Sequence, residues 1–362
     1  MKICFLAPSN SIHSFKWIEY FSLKHEILWI SLEPNSIGKK ISNIEYVELN
    51  FSNRNFFQSI IRMRKYIKNF EPNVIHVHSV GTYGFVSLFF PKLKKMKRVL
   101  TPWGSDILLN KNNFLKILII KYALQKADVI TSDAEHMQSE MLAIGIKKEK
   151  LKIINFGIDV DHFSHKKPDI NKLDEYKIKT NENVITSLRS LDPIYDLKTL
   201  IKAIPEVISN FPNTKFLIFG DGPEKQNLMN LVEDLKIRKY IIFTGRYNNF
   251  DLPNIFSITD IYVSSSTTDA GIAASTAEAM SCEKACIISD SNENNLWIKD
   301  GHNGFLFKVG DNSSLAKKIN KFLLDENIRR SFGKLAREKI INKNSYQNEM
   351  KKMDKIYRNM FN

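Results

Sequence analysis

With 362 residues the chain exceeds what one ordinary hydrophobic core organises, so two domains are expected. Hydrophobic residues at 43% and charged residues at 25% exclude a disordered chain, and no apolar run approaches the length needed to span a bilayer. The formal charge of +14 calls for an anionic partner, either nucleic acid or an acidic membrane surface.

The excess leans toward the N-terminal half, with 23 Lys and Arg against 14 Asp and Glu through His165, and 30 against 25 beyond it. The run Lys2 to Ala7 predicts a strand and is too short for a signal peptide. A polar loop, Ser9 to Ser14, follows it, and then a helix-period segment from Phe15 to Leu23. Further strands are predicted at Ile27 to Ser31, Val74 to His78, Val99 to Thr101 and Val129 to Thr131. Helical segments alternate with them near Phe56 to Phe70, Thr82 to Phe90, Phe114 to Lys126 and Glu135 to Ile144. Such alternation implies a parallel sheet with helices on both faces. Two stretches concentrate basic and apolar residues: Arg54 to Lys68, and the KLKKMKR run from Lys92 to Arg98. Either is a solvated outer helix face or a surface that lies on anionic lipid headgroups.

Between Asn155 and Asn183 the pattern weakens into a polar segment with Pro168, the predicted linker and start of the second domain. Alternation resumes with Val184 to Leu188, Leu197 to Ile208, Lys215 to Phe219, Glu224 to Leu235 and Ile241 to Thr244. The stretch from Asp260 to Asp290, DIYVSSSTTDAGIAASTAEAMSCEKACIISD, then gives strand, small-residue loop, helix and strand. It sets a glycine-bearing loop against a helix N-terminus, where free N–H groups favour phosphate. The tail from Ser313 to Asn362 reads as helical with a break around Asn342 to Ser345. Domains are expected at 1–165 and 166–340, with a helix over 341–362 crossing back to the first. The three cysteines, Cys4, Cys282 and Cys286, fit neither a metal pattern nor an even disulfide set, which suits a reducing, cytoplasmic compartment.

Several segments together resemble glycosyltransferase family 4, retaining enzymes of the GT-B fold. In the second half these are LIFGDGPEKQNL at 217–228, FTGRYNNFDLPNIFSITDIYVSSS at 243–266, AEAMSCEKACIISD at 277–290 and DGHNGFLFKVGD at 300–311. In the first half VIHVHSVGTYGF at 74–85, TPWGSDIL at 101–108 and INFGIDVDHF at 154–163 fit as well. The resemblance implies two Rossmann-like doubly wound α/β domains facing across a cleft. It implies transfer of a sugar from a nucleotide-sugar, expected to be a UDP-sugar, to a glycan or lipid-linked acceptor at the inner face of the cell membrane. No metal or cofactor and no nucleic acid are expected. In particular, the Asp159, Val160, Asp161 triplet lies in the linker and is assigned no metal.

On the donor side the resemblance implies Arg189 as the diphosphate anchor. Gly220, Gly222, Gly245 and Arg246 would stand near base and phosphate, main-chain amides of Gly271, Ile272 and Ala273 at the donor, and Glu278 at the ribose. The family pairs two glutamates eight positions apart, and the first falls here on Ala270, so Asp269 is expected to supply that carboxylate. The partner lysine position falls on Tyr195, with Lys198 as a stand-in. On the acceptor side Ser9, Asn10, Ser11, His13, His78, Trp103 and Asp106 are the candidates, with Asp106 and His13 beside Asp269 and Arg189 as catalytic groups. His76 and His78 are expected to point to opposite faces of their strand, with His78 toward the cleft. Two other readings stay open: a sugar-nucleotide epimerase of similar fold, and a nucleotide-sugar-binding subunit without turnover.

Overall fold

A computed structural model describes residues 1–36, 38, 40–91, 93–108, 113–269 and 271–361. The chain forms two compact units, Met1–Phe156 with Asn348–Asn362, and Gly157–Gln347.

The first unit holds a seven-stranded parallel sheet made of β1 (Lys2–Leu6), β2 (Glu26–Ser31), β3 (Glu45–Glu48), β4 (Val74–His78), β5 (Lys97–Thr101), β6 (Val129–Ser132) and β7 (Leu151–Ile153). The order is β3-β2-β1-β4-β5-β6-β7. Strands such as KICFL and VIHVH are buried on both faces, as parallel strands covered by helices on each side must be. The helix expected over Thr82 to Phe90 ends earlier, at Thr82–Ser87. Pro91 disfavours helical backbone at Phe90 and shortens it.

The second unit holds β8 (Asn183–Leu188), β9 (Thr214–Phe219), β10 (Ile241–Gly245), β11 (Ile261–Ser264), β12 (Ala285–Ser289) and β13 (Phe305–Phe307), in the order β10-β9-β8-β11-β12-β13, all parallel. Residues 157–165, assigned from the sequence to the first domain, pack in this unit. Arg337 holds them there, donating to the carbonyls of Phe163 at 2.9 Å and Val160 at 3.0 Å. The segment read as linker contains the helix Ile170–Glu175. The expected break in the tail is real: one helix ends at Asn344, Ser345 is extended, and the next runs Tyr346–Asn359.

In both sheets the winding reverses once, between β1 and β4 and between β8 and β11. The helices on either side of such a reversal leave a crevice at the carboxyl ends of the two strands, and ligands bind there in open α/β sheets. The loops after β1, β4, β8 and β11 are therefore where chemistry belongs.

The last helix completes the first unit. Tyr357 is fully buried and its hydroxyl pairs with His76 Nδ1, whose Nε2 lies 2.6 Å from Thr101 Oγ1. Asp354 meets His25 at 2.8 Å. Replacing Tyr357 by Phe strands a buried ring nitrogen, which costs about 1–3 kcal/mol. Urea unfolding of Tyr357→Phe should show that loss in midpoint with an unchanged slope; an unchanged midpoint would mean that the contact contributes nothing.

Candidate functional site

Arg189 follows β8 directly and Asp269 lies in the loop after β11, so the reversal of the second sheet brings together two residues 80 positions apart. Their side chains meet at 2.5 Å (Nη2 to Oδ1), with only 9% and 10% of each exposed. The guanidinium also sits 4.2 Å from the centre of the Tyr195 ring. Burial pushes the Asp269 carboxyl up against the opposing pull of the guanidinium. Burial lowers Arg189 too, but Asp269, Tyr262 and Tyr195 outweigh it and leave its pKa raised. At this separation we take the pair as ionised, because a buried guanidinium keeps its proton and a carboxylate in contact with it is held charged.

The loop after β11 is fastened along its length. Thr267 N donates to Ile194 O at 2.8 Å, Ser265 Oγ donates to Tyr195 O at 3.0 Å, and Ser289 Oγ donates to Ser266 O at 2.5 Å. Asn292, which the sequence reading did not single out, donates its amide to Thr268 Oγ1 and to Asp269 O. Its only signal was position, since it stands in the loop after β12, the next strand. Gly271 and Ile272 are buried, and Ala273 is the extended residue capping the helix Ala274–Ser281. Glu278 is half-buried on that helix, near enough to Tyr247 to raise its pKa after burial has done so. Ala270, the position of the absent glutamate, lies outside the described residues.

The glycines after β9 have a structural task. A Cβ on Gly220 would lie 2.0 Å from Arg189 O, and one on Gly222 would lie 2.6 Å from the backbone of Leu191. Gly220 also has φ +117°, a conformation that only glycine adopts readily. The loop packs backbone to backbone beneath Arg189, with Leu191 N donating to Asp221 O at 3.1 Å. Gly245, φ +77°, accepts from Gly220 N at 2.8 Å. Arg246 is 86% exposed and 3.8 Å from Asp221. Gly220 and Gly222 thus let this loop pack against the backbone of Arg189 and Leu191, and Lys198 is exposed on the following helix.

In the first unit, a cavity of about 260 Å³ opens at the β1–β4 reversal, walled by His13, Trp17, His78, Trp103, Ile154 and Phe156. His13 and His78 lie 6.4 Å and 6.1 Å from the Trp103 ring, centre to centre. His76 and His78 do not point to opposite faces as expected. Residues two apart in a strand share a face, and the rings meet at 4.7 Å. His76 is satisfied within the core, whereas His78 takes only Ser14 Oγ at Nδ1, 3.1 Å away, and its Nε2 has no partner among the described residues.

The other acceptor-side candidates separate. Ser9 is fully buried and bonded to Ser31 and to Glu33 O; Asn10 is exposed; Ser11 caps the helix Ile12–Ser22. Asp106 is buried and accepts from Val80 N at 2.7 Å and Trp103 N at 3.0 Å, so its oxygens fold the loop that presents Trp103. Asp159 caps its own turn through Asp161 N and His162 N.

Comparison with known proteins agrees with this architecture. Residues 169–339 match the family model described as Glycosyl transferases group 1, and residues 2–134 match the one described as Glycosyl transferase 4-like. The chain is thus a glycosyltransferase of the GT-B fold, with a 4-like domain followed by a group 1 domain. Among its relatives, N-acetyl-alpha-D-glucosaminyl L-malate synthase of Bacillus anthracis is 23% identical, covering 87% of this chain and 84% of that protein. The UDP-Gal:alpha-D-GlcNAc-diphosphoundecaprenol alpha-1,3-galactosyltransferase of Escherichia coli is 28% identical, covering 83% and 78%. In structure it is similar to Anabaena Alr3699/HepE, solved in complex with UDP, at a TM-score of 0.85, 17% identity and coverage of 99% and 100%.

Two buried histidines, His76 and His78, contribute to the pH dependence of stability. Burial, with His13 nearby, lowers the pKa of His78 from 6.5 to about 3. Between those values this residue holds a proton in the unfolded chain that it refuses in the folded one, so its own contribution lowers stability with falling pH by about 1.4 kcal/mol per unit. In urea unfolding from pH 6.5 to 4, His78→Gln should reduce the slope by about that amount and leave the part due to His76; equal slopes in wild type and variant would show that His78 contributes nothing.

Proposed function

We propose that this glycosyltransferase moves a hexosyl or N-acetylhexosaminyl unit from a UDP-sugar to a glycan or lipid-linked acceptor, with retention at the anomeric carbon. The observation that carries this reading is a buried Arg189 at the sheet reversal, beside a fastened small-residue loop. A guanidinium there suits a diphosphate by charge and by its forked donors. Relatives support the donor and the stereochemistry, since the Escherichia coli protein is named for UDP-Gal and for an alpha-linked product, and another, from Acholeplasma laidlawii, is named alpha-monoglucosyldiacylglycerol synthase.

In the proposed reaction the bond between the anomeric carbon and the diphosphate oxygen breaks. The acceptor oxygen bonds to that carbon on the same face, and the acceptor proton passes to the departing phosphate. Little is asked of side chains beyond placing the partners and stabilising charge on the leaving group. Arg189 would hold the diphosphate, Glu278 the ribose hydroxyls, and the aromatic cavity with His13, His78 and Trp103 the acceptor. His78 is neutral at ordinary pH and its Nε2 could bond an acceptor hydroxyl.

Membrane contact rests on exposed apolar residues set among cations. Phe57 and Ile61 are 78% and 67% exposed on the helix Phe56–Phe70, which also carries Arg62, Lys65 and Lys68. Leu115 is 71% exposed beside Lys116 on Phe114–Gln125. Of the other basic stretch, Lys92 lies outside the described residues. Among the described residues, no helix is long and apolar enough to cross a membrane.

A thermal-shift panel of UDP-, GDP-, ADP- and CMP-sugars should single out a UDP-sugar, because a ligand that binds only the folded state raises the Tm. With that donor and a membrane lipid extract, proton NMR should show an alpha-linked product, and Glu278→Ala should lower kcat/KM about 10- to 100-fold through the lost hydrogen bonds. A beta-linked product would overturn retention, and undiminished turnover would remove Glu278 from the site.

A further inference from the structure

The second unit carries a cavity of about 600 Å³ at the opposite ends of its strands. Val184 near the start of β8, Asp260 just before β11 and Ala285 at the start of β12 line it, whereas Arg189 and Asp269 follow the other ends of β8 and β11. A six-residue strand separates the two places by roughly 17 Å. The cavity is therefore distinct from the donor loops.

Its lining is cationic, with seven Lys or Arg against four Asp or Glu. The four carboxylates are already engaged. Asp260 accepts from Val184 N at 2.8 Å and meets Arg329 at 3.4 Å, Glu326 meets Arg330 at 2.5 Å, Glu182 meets Lys215 at 3.6 Å, and Glu283 meets Arg337 at 3.9 Å. Lys284 is left over. It is 93% buried, at 7% exposure, and its ammonium makes no hydrogen bond or ion pair among the described residues. Buried lysines are almost always paired, because desolvating the charge is costly.

The backbone around Lys284 is fixed rather than loose. Glu283 has φ +60°, and a Cβ on Gly333 would lie 2.1 Å from Glu283 O, so the helix Glu326–Asn344 presses directly on the loop. Arg337 also donates to Ser281 O from that helix. Lys284 is thus held at the wall while Lys179 and Lys334 stand exposed at the rim. Burial lowers the Lys284 pKa, and the nearby acidic groups and thiols do not offset it.

We propose that this cavity is a second ligand site, taking a small anion that bears phosphate groups, with Lys284 as its buried counter-charge and Lys179 and Lys334 as its rim. The volume admits a nucleoside phosphate or a lipid phosphate headgroup, and both present the same chemistry to the lysines. Neither source requires the donor loops to be occupied.

Inorganic pyrophosphate serves as the soluble probe, titrated by calorimetry into the full chain, and phosphatidylglycerol vesicles as the lipid probe, tested by co-sedimentation. In the Arg189→Ala background, which removes the proposed diphosphate anchor, binding of one of them should persist, and Lys284→Met should weaken it at least 10-fold. Pyrophosphate binding sensitive to Lys284 identifies a soluble anion, and vesicle binding alone with that sensitivity identifies a headgroup. If Lys284→Met fails to fold, the double variant Lys179→Gln with Lys334→Gln decides, since both side chains are exposed, and it should weaken binding several-fold. Binding of neither probe, binding indifferent to these lysines, or binding abolished by Arg189→Ala would overturn the site.

Discussion

The ion pair between Arg189 and Asp269 depends on a topological fact. Strands β8 and β11 are neighbours although 72 residues of chain lie between the end of one and the start of the other, and the winding of the sheet reverses there. Each loop leaves its strand in a different direction, so a cation from one and an anion from the other can meet only at that point. The surrounding structure serves this meeting: Gly220 and Gly222 let a neighbouring loop press against the backbone of Arg189 and Leu191, and the loop of Ser264–Asp269 is fastened to the turn at Ile194 and Tyr195. Removing one partner of a buried pair leaves an uncompensated charge and costs several kcal/mol. A diphosphate is the kind of anion that can share Arg189 with Asp269.

The first unit repeats the geometry with different chemistry. Its reversal, between β1 and β4, gathers His13, His78, Trp103 and Asp133 around a largely aromatic cavity, and His78 Nε2 has no partner among the described residues. A charged pair thus stands at the reversal of one sheet, and a largely aromatic cavity with Asp133 in its wall stands at the reversal of the other.

Much of the fold was legible because buried parallel strands are short continuous apolar runs set between helices, as in VIHVH and KFLIF. The short strands Glu45–Glu48, Leu151–Ile153 and Phe305–Phe307 were not, since three or four residues carry too little pattern and are recruited by the sheet. Within the site, Arg189 and Asp269 were each singled out from the sequence, but their contact was not, because it joins two loops. Asp106 was expected on the acceptor side from the resemblance carried by TPWGSDIL, and its bonds to Val80 N and Trp103 N become visible only when the chain is folded. The relation of His76 to His78 was open to strand geometry from the start, since positions two apart lie on one face.

The proposed roles of Arg189 as phosphate anchor and Asp269 as its counter-ion are tested by calorimetry of UDP binding across the wild type, Arg189→Ala, Asp269→Asn and the double variant. A charge-assisted hydrogen bond contributes about 1.5–3 kcal/mol, so Arg189→Ala should weaken UDP about 10- to 150-fold. Any effect of Asp269→Asn should vanish once Arg189 is gone, because Asp269 acts through it. Equal affinity for UDP in the wild type and Arg189→Ala would contradict the account.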